Sequence, residues 1–248
     1  MDELTLLPPP RHLPPCDAAA ALRLSATSTA TANALRHALL KDVCVAAMDH
    51  VTLHVYDGPL EPELVAHRFG QLPVALLDTD NARRVLDSDG SGDDVVATFD
   101  VDVTNTGREL LWVTSHDLTC TRGRARIVHY RSAEEEDVAR GVGFLVCALH
   151  PKQRLRATAA VKLGTARTHG TRWCAVFVSM VPTYLEDDHV SDEAEDAAPP
   201  TSYDFVIETT GAVSAYGAWR QAVTALATQL RAVGAEALAG PLRRGAAQ

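Results

Sequence analysis

The chain has 248 residues, a net charge of −9 and a hydrophobic share of 46%, which is typical of a globular protein with a sizeable core. The acidic balance disfavours a protein that grips nucleic-acid phosphates over a broad surface, and no window of roughly 18 apolar residues predicts a membrane span. Asp2 and Glu3 disfavour a secretory signal at the N-terminus. The five cysteines are far apart and form no CxxC pair, which favours a reducing compartment over a disulfide framework or a four-cysteine zinc site.

The first 41 residues predict two strands and a helix. Residues 4–7 are suited to a short strand, the prolines of residues 8–15 predict a stiff extended linker, and residues 19–25 predict a second strand. Ser28 or Thr29 can cap the helix, because a side-chain oxygen there accepts a backbone N–H that the helix leaves unpaired. The apolar face of the helix is formed by Ala32, Leu35, Leu39 and Leu40.

The middle of the chain is rich in strand patterns. Residues 51–56 alternate apolar and polar side chains, and residues 61–69 predict a short helix that ends at Gly70 and Pro73. Further strands are predicted at 95–103, 110–113, 125–130, 144–149 and 154–162.

Three arginines stand at alternate positions in this region. Arg122, Arg124 and Arg126 would share one face of a strand. The face would then be either a local basic stripe or an ordinary solvated surface.

The last quarter of the chain predicts two strands and a long helix. Residues 173–181 form an apolar run, either a strand buried on both faces or the first strand back in the domain that the N-terminal strands begin. Residues 186–200 are acidic and predict a loosely held surface loop. Residues 203–210 predict another strand, and residues 214–238 a helix.

The predicted C-terminal helix carries one apolar stripe. Its residues are spaced three, four, three, four and three apart, which is the spacing of a heptad repeat. Such a stripe packs either on the core of the same chain or on a helix of a partner chain. Its members are Tyr216, Trp219, Val223, Leu226, Leu230 and Val233.

Five separated motifs form a recognisable pattern: residues 32–36 (ANALR), 46–51 (AAMDHV), 63–73 (ELVAHRFGQLP), 113–118 (VTSHDL) and 162–173 (KLGTARTHGTRW). In order and spacing they resemble the alpha-like assembly subunit of multisubunit RNA polymerases. The third subunit of eukaryotic RNA polymerase II and its archaeal counterpart belong to this family. The departures from the family pattern suit a divergent enzyme, either cellular or from a large DNA virus.

The resemblance implies an α+β fold with a discontinuous dimerisation domain, a sheet with two helices, interrupted by a mostly β insert domain. The expected boundaries are 1–43 and 174–248 for the dimerisation domain and 44–173 for the insert. The implied function is non-catalytic scaffolding of a DNA-directed RNA polymerase, a nucleotidyltransferase complex whose polymerising chemistry lies in other subunits. The implied location is the nucleus, or a virion or viral factory for a viral enzyme.

The resemblance also implies partners and the residues that contact them. A smaller alpha-like subunit would pair through residues 29–41 and 214–238, and the pair would dock the second-largest subunit through Arg36, His67 and Arg68. His37 stands where the family has a second arginine, and an imidazole does not replace a guanidinium fork. The implied partner-interface residues are Asn33, Leu35, Arg36, Leu39, His67, Arg68, Trp219, Val223, Leu226, Leu230 and Val233.

No cofactor or metal is expected. Eukaryotic members of the family carry a cysteine-rich zinc loop near the position of residues 80–94, and this chain has no cysteine between Cys44 and Cys120. Residues 87–93 imitate the start of a calcium loop, but Thr98 stands where a bidentate carboxylate is required. His50 and His54, with Cys44 nearby, are fewer ligands than zinc needs at this spacing.

Ser115, His116 and Asp117 are the residue types of a hydrolase triad, but adjacent residues cannot converge on one nucleophile. A strand end followed by a polar turn is the simpler interpretation. The alternative functions are a stand-alone dimeric interaction module without a polymerase role and, less favoured, a metal-dependent enzyme. Neither a membrane partner nor direct nucleic-acid binding is expected.

Overall fold

The structure is a computed structural model that describes residues 3–8, 17–77, 95–129, 143–167, 175–183, 200 and 202–239. The described part contains three α-helices, a 3₁₀ turn at Ser115–Asp117 and twelve strands, so the predicted α+β class is confirmed. The helices are α1 (Thr29–Lys41), α2 (Pro62–Gly70) and α3 (Ala215–Ala239). The strands are β1 (Glu3–Leu7), β2 (Ala19–Ser25), β3 (Val45–Tyr56), β4 (Val74–Leu76), β5 (Ala97–Thr104), β6 (Leu111–Thr114), β7 (Thr119–Arg122), β8 (Ala125–Ile127), β9 (Leu145–Leu149), β10 (Arg154–Gly164), β11 (Val176–Thr183) and β12 (Ser202–Thr209).

Local sequence explains where the first two helices begin. The Ser28 hydroxyl accepts the backbone N–H of Thr31 at 3.2 Å, so Ser28 rather than Thr29 caps α1. Pro62 opens α2, where its missing N–H costs no helical hydrogen bond. Among the described residues, no helix combines the length and apolar composition needed to cross a bilayer.

One sheet joins the two ends of the chain. Its order is β1-β2-β12-β11, all antiparallel, and Leu22 of β2 lies opposite Phe205 of β12. Alternation along these strands places one apolar face under α1 and α3, where the rings of Phe205 and Trp219 meet edge to face at 5.4 Å. The sheet and the two helices therefore enclose one hydrophobic core.

A second, six-stranded sheet has the order β7-β5-β10-β3-β4-β8. Its end strands β7 and β8 are separated in the chain only by Gly123 and Arg124, so the sheet curls into a nearly closed barrel. Gly123 has φ +79°, and a Cβ there would lie 2.5 Å from the carbonyl oxygen of Val96, so this corner requires glycine. A β6-β9 ribbon and α2 complete the second core, to which Val65, Phe69 and Val146 belong.

Two expectations about strands are corrected. β11 is not buried on both faces, because it is an edge strand that pairs only with β12, and Phe177 and Val181 are exposed. Arg122, Arg124 and Arg126 do not share one strand, because the turn at Gly123 divides them between β7, the corner and β8. The calcium-like residues 87–93 and nearly all of the acidic stretch 186–200 lie outside the described residues.

Replacing Phe205 by Ala should remove a fully buried ring and cost about 3–5 kcal/mol of unfolding free energy, because the core cannot collapse into the space left. Phe177→Ala is the matched control: that ring is 60% exposed, and its loss should change stability by about 0.5 kcal/mol or less. Urea unfolding followed by circular dichroism measures both. Equal losses from the two variants would contradict the assignment of the core face.

Candidate partner-binding surface

The candidate surface is the helix layer, defined as α1 and α3 on the four-stranded sheet. The two helices contact each other, α1 also contacts β11, and α3 contacts β2 and β12. Residues separated by nearly the whole chain thus form one surface. This layer contains nine of the eleven sequence-predicted interface residues, and the other two, His67 and Arg68, lie on α2.

The predicted interface residues of α1 differ in burial. Leu35 and Leu39 are buried with Ala32 and Ala38 in the chain's own core, so they hold α1 on the sheet and are not available to a partner. Asn33 and Arg36 are half-buried beside these residues.

The Arg36 guanidinium is held by its neighbours on α1. Its Nε donates to the side-chain oxygen of Asn33 at 3.4 Å, and its Nη2 lies 3.3 Å from Nε2 of His37. These contacts restrain the charge of Arg36 at the surface of the helix layer.

The predicted stripe of α3 is divided in the same way. Trp219 is buried and Leu226 packs partly on the core, so this part of the stripe is satisfied within the chain. Leu230 and Val233 are each 64% exposed, and Tyr216 and Val223 are also exposed. A helix of 25 residues is about 38 Å long, so α3 runs past the sheet that covers its first half.

Four polar side chains fix the direction of α3 where it leaves the sheet. The carboxylate of Asp42, which directly follows α1, pairs with the guanidinium of Arg167 and accepts the Gln229 amide at 3.0 Å. Two turns earlier, the side-chain oxygen of Gln221 accepts the backbone N–H of Cys44 at 2.8 Å. Gln229 therefore ties the exposed half of α3 to Asp42, while Gln221 ties the buried half to Cys44.

Sequence reasoning missed Asp42, Arg167, Gln221 and Gln229. The four residues come from three distant parts of the chain, and none belongs to a periodic pattern. A glutamine between the buried residues Ala218 and Ala222 was the one local signal, because a buried amide needs hydrogen-bond partners.

His67 and Arg68 lie on α2, which packs on β3 and β9. Arg68 donates from Nη1 to the carbonyl oxygen of Val146 at 2.9 Å, so part of its hydrogen-bonding capacity is used inside the chain. His67 is exposed. Of the further motif residues, Lys162 pairs with Asp49 at 3.7 Å, and His169 and Trp173 lie outside the described residues.

Ser115 belongs to a structural hydrogen-bond network. Its hydroxyl accepts the backbone N–H of Phe144 and lies 2.9 Å from Nε2 of His129, while the side chain is almost fully buried. Asp117 accepts the backbone N–H of Thr114 and caps the 3₁₀ turn. The network joins the start of the turn to the chain entering β9, and the serine hydroxyl faces protein on all sides.

Two observations concern metal and thiol chemistry in the described ranges. No group of three or more His, Cys, Asp or Glu residues there is arranged to hold a metal ion. Burial raises the pKa of the Cys147 thiol to about 11, which keeps it protonated and weakly nucleophilic at neutral pH.

No protein-family model matches the chain. Among curated proteins, it is 26% identical over 160 residues to "DNA-directed RNA polymerases II, IV and V subunit 3" of Arabidopsis thaliana, covering 62% of this chain and 50% of that protein. It is 25% identical over 173 residues to "Conjugation stage-specific protein" of Tetrahymena thermophila, covering 65% and 56%. The chain thus spans about half the length of the curated relatives it matches.

Replacing Asp42 by Asn should destabilise the protein by about 0.5–1.5 kcal/mol, because the buried Asp42 carboxylate accepts charge-assisted hydrogen bonds from the exposed side chains of Arg167 and Gln229, and these bonds weaken. Amide exchange should also rise in the second half of α3. Asp102→Asn is the matched control, since Asp102 makes the same bidentate pair with Arg154 on an exposed strand face and should matter far less. Unchanged exchange in α3 would refute the anchoring role of Asp42.

Proposed function

We propose that this chain is a non-catalytic assembly subunit of a DNA-directed RNA polymerase. The observation that carries the proposal is the exposed apolar half of α3, held beside α1 on a sheet built from both ends of the chain. The similarity to a named polymerase subunit 3 gives this surface a context in transcription. A location in the nucleus, or in a virion or viral factory, is part of the same proposal.

The exposed residues of α3 suit a helix of another chain. Tyr216, Val223 and Leu230 are seven residues apart, so they follow one side of the helix, with Val233 beside them. A contiguous apolar surface held at a fixed angle is costly to leave in water, and its burial by a partner stabilises the folded state through binding. We assign this surface to a smaller alpha-like subunit, paired through residues 29–41 and 214–238.

The domain organisation in this proposal is a dimerisation domain at 1–43 and 174–248 and an insert at 44–173. The two hydrophobic cores support such a division, because α1, α3 and the four-stranded sheet share one core while the barrel, the ribbon and α2 share the other. The insert would place α2 for contact with the rest of the enzyme.

The second contact in the proposal is docking of the second-largest polymerase subunit through Arg36, His67 and Arg68. His67 is accessible, and Arg68 keeps guanidinium donors beyond the one used by Val146. Charged groups at the edge of such a contact set its orientation more than its affinity.

The double substitution Leu230→Asp and Val233→Asp should abolish pairing with the smaller subunit, because the interface would bury unpaired carboxylates. Both side chains are mainly exposed, so the isolated chain should keep its circular dichroism spectrum and melting temperature. The measurement is affinity purification of the tagged chain from its own cells or infected host, with mass spectrometry of the polymerase subunits.

Phe177→Asp is the control for that experiment, because it places a carboxylate on an equally exposed apolar site of the four-stranded sheet. It should leave pairing intact. Recovery of polymerase subunits with both variants would contradict the assigned surface. Recovery of the wild-type chain with only copies of itself would favour the stand-alone dimeric module.

Replacing His67 by Glu should leave the pair with the smaller subunit intact and reduce recovery of the second-largest subunit several-fold, because the change places a carboxylate next to the Arg68 guanidinium at the docking edge. His150→Glu makes the same change at an exposed site outside α2 and should have no effect. Loss of the smaller subunit in the His67 variant would show that α2 belongs to the pairing surface instead.

A further inference from the structure

The ionisable residues on the two helices of the helix layer are mostly basic, although the whole chain carries a net charge of −9. α1 contains no acidic residue, and its ionisable side chains are Arg36, His37 and Lys41. α3 contains Arg220 and Arg231, and its one acidic residue, Glu236, lies in the last turn. The carboxylate of Asp42, just beyond α1, already accepts hydrogen bonds from Arg167 and Gln229. The helix surface around the apolar stripe is therefore dominated by one sign of charge.

The two arginines of α3 lie along one border of the exposed stripe. Arg220 is four residues after Tyr216 and three before Val223, while Arg231 directly follows Leu230, so helical spacing places both arginines on the same side. Both side chains are exposed. Neither takes part in a salt bridge within the described part of the chain. Two guanidinium groups with no acidic partner among the described residues thus lie along one border of the apolar stripe.

A second copy of this chain is a poor occupant for such a surface. A two-fold contact uses the same patch on both subunits, so Arg36, Lys41, Arg220 and Arg231 of one copy would meet the same basic set on the other. Like charges across a contact cost affinity and exclude partners. The charge pattern thus favours a different chain.

We infer that the occupant of the α3 stripe is an amphipathic helix of a different polypeptide, whose apolar face is bordered by aspartate or glutamate. This inference rests on the proposed assembly function and adds the chemistry of the partner. Carboxylates opposite Arg220 and Arg231 accept charge-assisted hydrogen bonds and set the register of the two helices. Such border pairs act mainly on the association rate, which then depends strongly on salt.

Two synthetic peptides test the inference against the full-length chain. One is a copy of residues 215–239, and the other is the same peptide with Arg220→Glu and Arg231→Glu, both stapled on the face opposite the stripe so that their helicity is equal. Binding is measured by fluorescence anisotropy. The glutamate peptide should bind roughly tenfold more tightly at low salt, and most of that advantage should disappear near 0.5 M salt, about where surface charges are screened.

Reversing the charges on the protein supplies the matched control. The full-length chain with Arg220→Glu and Arg231→Glu should prefer the unaltered peptide, whereas Arg124→Glu, at the exposed barrel corner, should leave the preference as in the wild type. Equal affinities for the two peptides, or no binding of either, would overturn the inference. The assembly function is judged separately, by whether Leu230→Asp with Val233→Asp abolishes recovery of polymerase subunits.

Discussion

The whole structure depends on six consecutive buried residues that serve two cores at once. From Val43 to Met48 every side chain is buried, and alternate residues point to opposite sides. Val43, Val45 and Ala47 complete the core beneath α1 and α3, while Cys44, Ala46 and Met48 face the barrel. This short segment is a wall shared by both cores, so neither core can shift without disturbing the other.

Polar contacts beside that wall decide how α3 is presented. The side-chain oxygen of Gln221 accepts a hydrogen bond from the backbone N–H of Cys44. The Asp42 carboxylate accepts hydrogen bonds from Arg167 and Gln229. Hydrogen bonds are directional and costly to leave unmade when buried, so they add an orientation that apolar packing alone does not specify. As a result, the first half of α3 is buried on the sheet, and the second half extends past the sheet and exposes Leu230 and Val233.

An assembly role, proposed from the limited similarity to a polymerase subunit 3, would place a physical demand on this surface. A subunit that assembles others needs a surface that is rigid before its partner arrives, because ordering it during binding would cost affinity. In the proposed assembly role, the anchored half of α3 would supply such a surface, and Arg220 and Arg231 along one border would favour a partner with acidic residues. The other face of the four-stranded sheet differs in chemistry, since Arg23 there pairs with Asp204 and lowers the pKa of that carboxyl group.

Local pattern was sufficient for the longer elements of this protein. The strand at 19–25 and the helix capped by Ser28 form where the sequence predicts them, because alternation and capping depend on neighbouring residues. The heptad spacing of α3 correctly showed an apolar stripe, and it left open whether that stripe packs inside the chain or on a partner. Short strands such as β4 escaped prediction because three residues carry too little periodicity.

Only the tertiary structure decided which residues of each pattern face protein and which face water. Trp219 is buried and Leu230 exposed, although both belong to one stripe, because the sheet under α3 ends between them. The three alternating arginines are divided between β7, the corner and β8, because the chain turns at Gly123 there. Asp42, Arg167 and Gln229 meet through folding alone, and contacts between residues so far apart leave no periodic trace in a single sequence.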